Sequence, residues 1–473
     1  MSQSRRDFLR TSACAIGGVA LASSLETFQA VHALTPAAAS DYRALVCVFL
    51  NGGNDGNNML VDLNQLTTYN TVRTPDQLAL GQSGNPSPLA ISPTTGGSYG
   101  LHPNMPEMVT LFNQGKLAIL CNNGPLVEPL SRTTYLNGTG KKPLQLFSHS
   151  DQVALFDTAI ANTASQTGWG GRLADKTAGL NGGATFPNNV SIAGVNLFLT
   201  GADTRQLAVG DSNTSLANVL QLNNAPGATQ AEINSRLLSF NELRAFDGGF
   251  KLVKAAGDIR SSSIQTDNAL SSVNPTLATS FPNTTLGRQL KQVALLIKAS
   301  TDPVAGINMK RQIFFTQRGG FDTHSAQLNG QGSLLTEVSQ AINAFFAATA
   351  EPGMPGQDKV TLFTMSDFGR TLDPAGTGTA AVGSDHAWGN HHLIVGGSVL
   401  GHALYGLYPN LALNGPDDAD QGSSARGRWI PTTSVEQYAA TLATWYGLSS
   451  ADLTAVFPLI GRFSTPSLGF MAP

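Results

Sequence analysis

Short apolar runs alternate along the chain with stretches in which apolar residues recur at helical spacing. The runs are rich in β-favouring residues and end at turn formers, which predicts buried strands at 44–50, 117–121, 310–316, 359–365 and 393–395. Apolar positions three and four residues apart predict helices at 104–114, 286–299, 334–348 and 435–446. This alternation predicts an α/β fold with a mostly parallel sheet and helices on both faces.

The middle of the chain has a different pattern. Residues 200–280 are polar and rich in Asn, Ser and Gln, with an amphipathic pattern over 231–253. We interpret this stretch as a helical insertion or cap within a single domain at about 41–470. No internal repeat is visible in the sequence.

Composition excludes several classes of partner. The chain has 473 residues, of which 41% are hydrophobic, enough to bury a substantial core. Its net charge is only -3 and 12% of its residues are charged, so no basic face is expected for nucleic acid or for an anionic membrane surface. A polar, weakly charged surface with many Gly and Pro residues is typical of an exported protein.

The N-terminal segment predicts a route of export. Arg5 and Arg6 precede a mildly apolar stretch at 11–25, which is followed by small residues typical of a signal-peptide cleavage site. Residues 1–33 therefore resemble a twin-arginine signal peptide. The alternative is a chance arginine pair before an amphipathic helix. No stable membrane anchor is expected, because the apolar stretch falls short of the roughly 20 residues that span a bilayer. The predicted partner is the twin-arginine translocase, and the predicted location is periplasmic or extracellular.

The cysteines favour free thiols over a disulfide. Cys14 leaves with the signal, and Cys47 and Cys121 each lie inside an apolar run. No CxxC or Cys/His finger spacing occurs, which argues against iron–sulfur, c-type haem and structural zinc sites.

Acidic and histidine residues recur where predicted strands end. Asp55 follows the first strand in NGGNDGNN, and Asp/His pairs occur in FSHSD (147–151), GGFDTH (319–324) and GSDHAWGNHH (383–392). Each segment alone is weak evidence for a metal site, because loop histidines are commonly solvated and an Asp in a glycine turn makes local hydrogen bonds. Together they favour one or two divalent ions, since carboxylates and imidazoles are ligands of Zn and Mn.

Several of these motifs also resemble a known family. The segments LVCVFLNGGNDGNNMLV, FSHSD followed by TGWGGRLAD, RGGFDTH, and TMSDFGRT with SDHAWGNH resemble the twin-arginine-exported bacterial family called domain of unknown function 1501 (DUF1501). That family is assigned to the alkaline phosphatase and sulfatase superfamily. The resemblance implies an alkaline phosphatase-like three-layer sandwich and a divalent cofactor, with Zn or Mn expected first and Ca or Mg as alternatives.

The resemblance also implies site residues. The metal ligands that it implies are Asp55, Asp322, His324, Asp367 and His386. Ser148 matches the nucleophile at a helix N-terminus, with Ser150 as second choice. Phe368 stands where the superfamily has a metal-binding His, so the second metal site is missing, recruits His149, or binds an oxygen-preferring ion.

Structural roles compete with two of the chemical ones. Ser148 and Asp151 have the spacing of a helix N-cap with an acid in the first turn. Arg370 is a candidate to hold a tetrahedral anion bidentately, or else a structural ion-pair partner of Asp367 or Asp373.

The remaining aromatic and histidine residues near these motifs carry weaker predictions. We expect Trp169 to pack in the interior, whereas Trp388 could either pack its loop or stack on a ring at the site entrance. His391, His392 and His402 are either supporting donors or surface residues.

Three hypotheses follow from the sequence. The first is an exported metal-dependent hydrolase of phosphate or sulfate esters, on small molecules or on polymers. The second is a non-catalytic exported protein that keeps the fold and a structural metal but binds a polymer or partner. A serine esterase is disfavoured, because no GxSxG motif occurs.

Overall fold

The central element of the fold is a large sheet. The computed structural model describes residues 41–182, 184, 186–216, 228–245, 275–301, 307–376 and 382–473. The predicted signal segment, 1–33, and much of the predicted insertion at 200–280 lie outside these residues. Contacts join Tyr42–Pro473 into one compact unit.

The strands of the large sheet are β1 Arg43–Leu50, β5 Leu117–Gly124, β6 Asn189–Ser191, β7 Gln206–Ala208, β8 Arg311–Arg318, β9 Val360–Ser366, β10 Asn390–Gly396, β11 Ala403–Tyr405 and β12 Thr433–Ser434. Their order across the sheet is β11-β5-β10-β9-β1-β8-β6-β7, and β12 pairs with β5. All pairs are parallel except those of β10 with β5 and β9. A small antiparallel sheet contains β2 Leu60–Asp62, β3 Leu89–Ile91 and β4 Tyr99–Leu101.

Helices cover both faces of the large sheet. The α-helices of the described residues are α1 Gly56–Met59, α2 Leu66–Arg73, α3 Pro106–Asn113, α4 Arg132–Leu136, α5 His149–Thr158, α6 Trp169–Thr177, α7 Gln230–Ala245, α8 Thr285–Thr301, α9 Gln327–Ala348, α10 Val435–Tyr446 and α11 Leu453–Val456. Alternate residues of β1 point to opposite sides. Val46 joins one apolar cluster with α3, α8 and α9, and Cys47 joins another with α6 and α10. The predicted mostly parallel α/β architecture with helices on both faces is therefore confirmed.

Several elements extend beyond their apolar patterns, and α9 and β10 show the reason. Helix α9 begins at Gln327, seven residues before the first apolar position of the predicted helix. Apart from Leu328, its first two turns consist of Gln, Asn, Gly and Ser, so apolar spacing does not reveal them. Strand β10 begins at Asn390 and therefore includes His391 and His392, both buried. Polar residues at these positions hid the element from a pattern that depends on apolar spacing.

Buried side chains confirm the packing predictions. Cys47 and Cys121 are free and buried. Trp169 is fully buried against Phe198 and Phe363. Among the described residues, no helix combines the length and the apolar character that crossing a membrane requires.

Candidate metal centre

The carboxyl edge of the central strands brings most of the predicted site residues together. Asp367 directly follows β9, and Asp322 follows β8 by four residues. His149 is the first residue of α5, and His386 lies in the loop before β10. Ligand sites form at this edge in open α/β sheets, because loops from neighbouring parallel strands meet there.

Three imidazoles converge on one carboxylate oxygen. The Oδ1 atom of Asp322 lies 3.4 Å from Nε2 of His149, 3.1 Å from Nε2 of His324 and 3.6 Å from Nε2 of His386. The candidate ligand atoms of His149, Asp322 and His386 all lie within 4.8 Å of one another, which is compact enough to hold one cation. We call His149, His324, His386 and Asp322 the three-histidine group.

The outer ring nitrogen of each histidine faces an acceptor. Nδ1 of His149 lies 2.8 Å from Asp367 Oδ2, and Nδ1 of His386 lies 2.8 Å from the carbonyl oxygen of Phe147. Nδ1 of His324 lies 3.4 Å from Asp385 Oδ1. The contacts of His149 and His386 favour the proton on Nδ1, so that their Nε2 lone pairs point inward, as in metal-binding histidines. Nε2 of His324 lies 3.0 Å from Nε2 of His386 and can donate to it.

One atom of the three-histidine group lacks a partner that a cation would provide. Nε2 of His149 is buried and has no hydrogen-bond partner among the described residues. A buried polar atom without a partner is costly, and a divalent ion would satisfy its lone pair. The residues present therefore fit a nitrogen-preferring divalent cation.

Charge at the group suits cation binding. Partial burial raises the pKa of the Asp322 carboxyl, but the hydrogen bond and charge of Arg370, together with His324 and His149, outweigh it and hold that pKa below its usual range. Burial is the main cause that lowers the pKa of His386, and it outweighs the hydrogen bond to Phe147. At neutral pH Asp322 is ionised and His386 is neutral, which are the ligating forms.

The backbone is strained where it holds His386. Phe147 has φ +72°, in the left-handed region that bulky residues rarely adopt. Its carbonyl oxygen faces His386 Nδ1, and the Arg428 guanidinium lies 5.2 Å from the centroid of its ring. Strain of this kind concentrates at functional sites, where surrounding contacts maintain it.

The first two of the three glycines in the NGGNDGNN motif allow the first loop to pack against the group. Gly52 has φ +117°, and a Cβ there would lie 2.3 Å from the backbone nitrogen of Asp322. A Cβ at Gly53 would lie 2.5 Å from the ring of Phe368. The Gly52 amide donates to Asp367 Oδ1 at 2.9 Å, so this turn also fixes the carboxylate that holds His149.

The structure places Asp55 outside the three-histidine group. Arg73 pairs with it at 2.6 Å, and both side chains are fully buried. The side-chain amide of Gln327 donates to the same carboxylate at 2.6 Å, and the backbone N–H of Asn57 donates to it at 3.1 Å. Asp55 is therefore the centre of a buried polar network that ties α1 to α2 and α9.

Arg370 is buried and engaged on all sides. Its guanidinium donates to the carbonyl oxygens of Gly53 and Ser384 at 2.9 Å, to those of Gly52 and Phe321, and to the Asp322 carboxylate. Its ion-pair partner is therefore Asp322, and not Asp367 or Asp373. These contacts fix Asp322 in front of the three imidazoles.

Phe368 forms a wall of the group. Its ring centroid lies 4.8 Å from that of His149 and 4.6 Å from that of His386. The imidazole that contacts Asp367 is therefore that of His149, whose ring also packs on Phe368.

Ser148 lies at the N-terminus of α5, as its motif predicts. It holds the N-cap position, but its side chain makes no hydrogen bond to the helix backbone. Its Oγ instead donates to Asp151 Oδ2 at 2.6 Å and lies 3.4 Å from Ser150 Oγ. Ser148 is adjacent in sequence to His149, a member of the group, and to Phe147, whose carbonyl oxygen faces His386.

Several residues near the group have structural contacts only. Trp388 is fully buried and donates from Nε1 to the carbonyl oxygen of Pro125 at 3.0 Å, so it packs its loop. His391 stacks on Tyr408 and His392 on Tyr438, with burial lowering the pKa of each imidazole to about 3.

Sequence reasoning missed the residues that hold Asp55 and His386 in place. Arg73, Gln327 and the carbonyl oxygen of Phe147 had no motif of their own. A buried arginine leaves no trace in an apolar pattern. The short FSHSD segment did contain both Phe147 and His149, and it was the one available signal.

The solved structures that match this chain have low similarity to it. Ps i-CgsB in complex with k-i-k-neocarrahexaose is 9% identical, with 90% of this chain and 77% of that chain covered and a TM-score of 0.34. The PsFucS1 sulfatase from Pseudoalteromonas sp. is 10% identical, with 91% of this chain and 70% of that chain covered and a TM-score of 0.31. The alkaline phosphatase from the Antarctic bacterium TAB5 is 11% identical, with 76% of this chain and 91% of that chain covered and a TM-score of 0.23. Scores of this size carry no argument about function.

No curated protein matches the chain. The family model described as "Protein of unknown function (DUF1501)" matches residues 42–420, which is most of the chain. The motifs that define the three-histidine group all lie within that match. The chain therefore belongs to the DUF1501 family.

Proposed function

We propose that the protein is an exported, metal-dependent hydrolase of phosphate or sulfate esters, with its cation at the three-histidine group. The observation that carries this proposal is the convergence of three Nε2 atoms on Asp322 Oδ1 while each Nδ1 faces an acceptor. His149, His386 and Asp322 would hold the ion, with His324 as a further ligand. A set rich in imidazole nitrogen favours Zn or Mn over Ca or Mg. The bound ion would supply Lewis-acid stabilisation of charge on the ester oxygens.

Ser148 is the nucleophile in this proposal. Its Oγ attacks phosphorus or sulfur, and its proton passes to Asp151, which already accepts its hydrogen bond at 2.6 Å. That proton then passes from Asp151 to the departing ester oxygen, which leaves as the alcohol. Water next attacks phosphorus or sulfur, the bond to Ser148 Oγ breaks, and Oγ takes a proton from the water as the inorganic anion leaves. The amides at the N-terminus of α5 favour the negative charge of the transferred group.

Arg370 is a positioning residue here. Its contacts with four carbonyl oxygens and with Asp322 keep the carboxylate aimed at the imidazoles. The anion-binding role expected from the sequence would require Arg370 to give up these partners. Asp55, equally engaged by Arg73, supports the loop in this account and has no assigned ligand role.

Hydrolysis of 4-nitrophenyl phosphate and 4-nitrophenyl sulfate tests the proposal. The protein loaded with Zn or Mn is expected to turn over one of the two, and chelation is expected to abolish turnover. Ser148→Ala should lower the rate about a thousandfold or more, because no second nucleophile replaces it. Ser423→Ala, at an exposed position that neither belongs to the group nor contacts Ser148, is the control and should retain activity. Turnover that persists in Ser148→Ala would contradict the assigned nucleophile.

A second function is favoured by one observation. Asp55 and Arg370 are both buried in structural contacts, which is the arrangement expected if the fold keeps a metal for stability alone. In that case the protein binds a polymer or partner outside the cytoplasm. It would then bind the cation, gain thermal stability from it, and hydrolyse neither ester.

A further inference from the structure

A cavity of about 320 Å³ adjoins α5, the helix that begins with His149. It is bounded on one side by the ends of β1 and β8. The opposite wall is one stripe of α5, at helical spacing: Ser150, Val153, Ala154 and Asp157. Because Ser150 directly follows His149, the cavity and the group share the first turn of this helix. Its volume is at the lower end of the range for small-molecule sites.

Three polar side chains at this cavity have unused hydrogen-bonding capacity. Asp157 is 4% exposed, and its Oδ1 has no hydrogen-bond partner among the described residues. Burial is the main cause that raises the pKa of this carboxyl to about 8, so it is uncharged at neutral pH. The structure assigns no hydrogen bond to the side-chain amides of Asn51 and Gln317 within its described part, although both line the cavity.

Apart from Ser150 and Asn196, the rest of the lining is apolar. Phe49, Phe315 and Val153 contribute carbon surface, and among the described residues no lysine or arginine lines the cavity. Neutral donors and acceptors beside aromatic and aliphatic carbon match a ligand with hydroxyl groups on its edges and C–H groups on its faces. A charged ligand would find no counter-ion there, and a wholly apolar one would leave the amides and the carboxyl unsatisfied.

We propose that this cavity binds the neutral, hydroxyl-bearing part of the substrate, a carbohydrate ring, while the ester group lies at the three-histidine group. The inference rests on the proposed hydrolase function, because it assigns the substrate class of that same site. Asp157, Asn51 and Gln317 are the specificity-determining residues, and Val153 forms the apolar wall.

Calorimetric titration with neutral methyl pyranosides (gluco, galacto, manno and fuco) tests this assignment. At least one glycoside should bind to the wild type. Val153→Phe fills the cavity and should weaken that binding about tenfold or more, and Gln317→Leu, which removes one amide, should weaken it about tenfold. Val195→Phe is the matched control, because Val195 is 80% exposed and does not line the cavity. Cyclohexanol serves as the ring without the hydroxyl pattern and should bind more weakly than the glycoside.

The possible results are distinct. Binding to none of the glycosides, equal binding to Val153→Phe, or equal binding of cyclohexanol would overturn the carbohydrate assignment. Metal content and circular dichroism establish that each variant is folded. Glycoside binding without ester hydrolysis would refute the proposed hydrolase alone, and hydrolysis without glycoside binding would refute this inference alone.

Discussion

At the scale of single residues, the candidate site depends on the orientation of imidazole rings. A histidine can present either nitrogen to a cation, and the partner of the other nitrogen decides which. Here Asp367, Asp385 and a strained carbonyl hold the outer nitrogens, so the inner ones face Asp322. The side chains that select these orientations lie far apart in the chain, and their contacts could not be inferred from spacing.

The Asp55–Arg73 pair permits a test of structural against ligand roles. Removing one member of a buried ion pair leaves the other charge unpaired, so Asp55→Ala and Arg73→Met should each lower the unfolding free energy by about 3–5 kcal/mol. Urea denaturation measures this loss. Both variants should keep the bound cation while folded. If Asp55 is a metal ligand, as the family resemblance implies, Asp55→Ala will lose the cation whereas Arg73→Met will retain it.

Asp157 predicts a specific pH dependence of stability. Its pKa in the folded protein is about 8, well above the ordinary value of 3.8. Between those values the unfolded chain holds fewer protons than the folded one, so the unfolding free energy falls as pH rises, by up to about 1.4 kcal/mol per pH unit.

Urea denaturation between pH 5 and about 8 measures this contribution. Asp157→Asn should flatten the pH profile across that window. Glu436→Gln should remove a second, similar part, because burial is the main cause that raises the pKa of Glu436 to about 8. Asp203→Asn, at an exposed position, is the control. An unchanged profile in Asp157→Asn would mean that Asp157 is ionised in the folded protein.

At the scale of elements, apolar periodicity located the strands and helices that carry the core. It failed at polar ends: the first turns of α9 and the first residues of β10. In α9 those polar residues have a purpose, since Gln327 binds Asp55 and Gln331 donates to the Asp55 carbonyl oxygen at 2.7 Å. Element ends that face a polar network therefore escape prediction from hydrophobic spacing alone.

The start of α9 offers a test of backbone strain. Ala326, directly before the helix, is exposed and has φ +48°. Glycine adopts this conformation without the steric penalty of a Cβ, so Ala326→Gly should raise the unfolding free energy by about 0.5–1 kcal/mol. Ser325→Gly is the control, since the φ of Ser325 is not positive, and it should be destabilising. A melting temperature that falls in Ala326→Gly would contradict the strain.

At the scale of the whole molecule, the fold class followed from the sequence more completely than the site did. Alternating strands and helices specify a parallel sheet, and its carboxyl edge then brings Asp322, Asp367 and His386 together. Asp55 and Arg370 are buried because each has an oppositely charged partner, Arg73 for Asp55 and Asp322 for Arg370. These pairs form between residues that are distant in the chain, so a single sequence does not reveal them.

Export also belongs to this scale. The signal segment 1–33 lies outside the described residues, and its role stays a prediction. Arg5→Lys combined with Arg6→Lys should leave the protein in the cytoplasm of a host that has the twin-arginine translocase. Immunoblots of cell fractions measure this, and Arg10→Lys should be exported normally. Export of the double variant, or export from a host without that translocase, would contradict the assigned route.

The most direct test of the central claim is metal analysis of the natively exported protein by mass spectrometry. The wild type should contain about one equivalent of a divalent ion, Zn or Mn, and His149→Ala and Asp322→Ala should lose it while staying folded. His402→Asn, a histidine outside the three-histidine group, should keep it. A folded wild type that contains no metal and takes up neither added Zn nor added Mn would contradict the account.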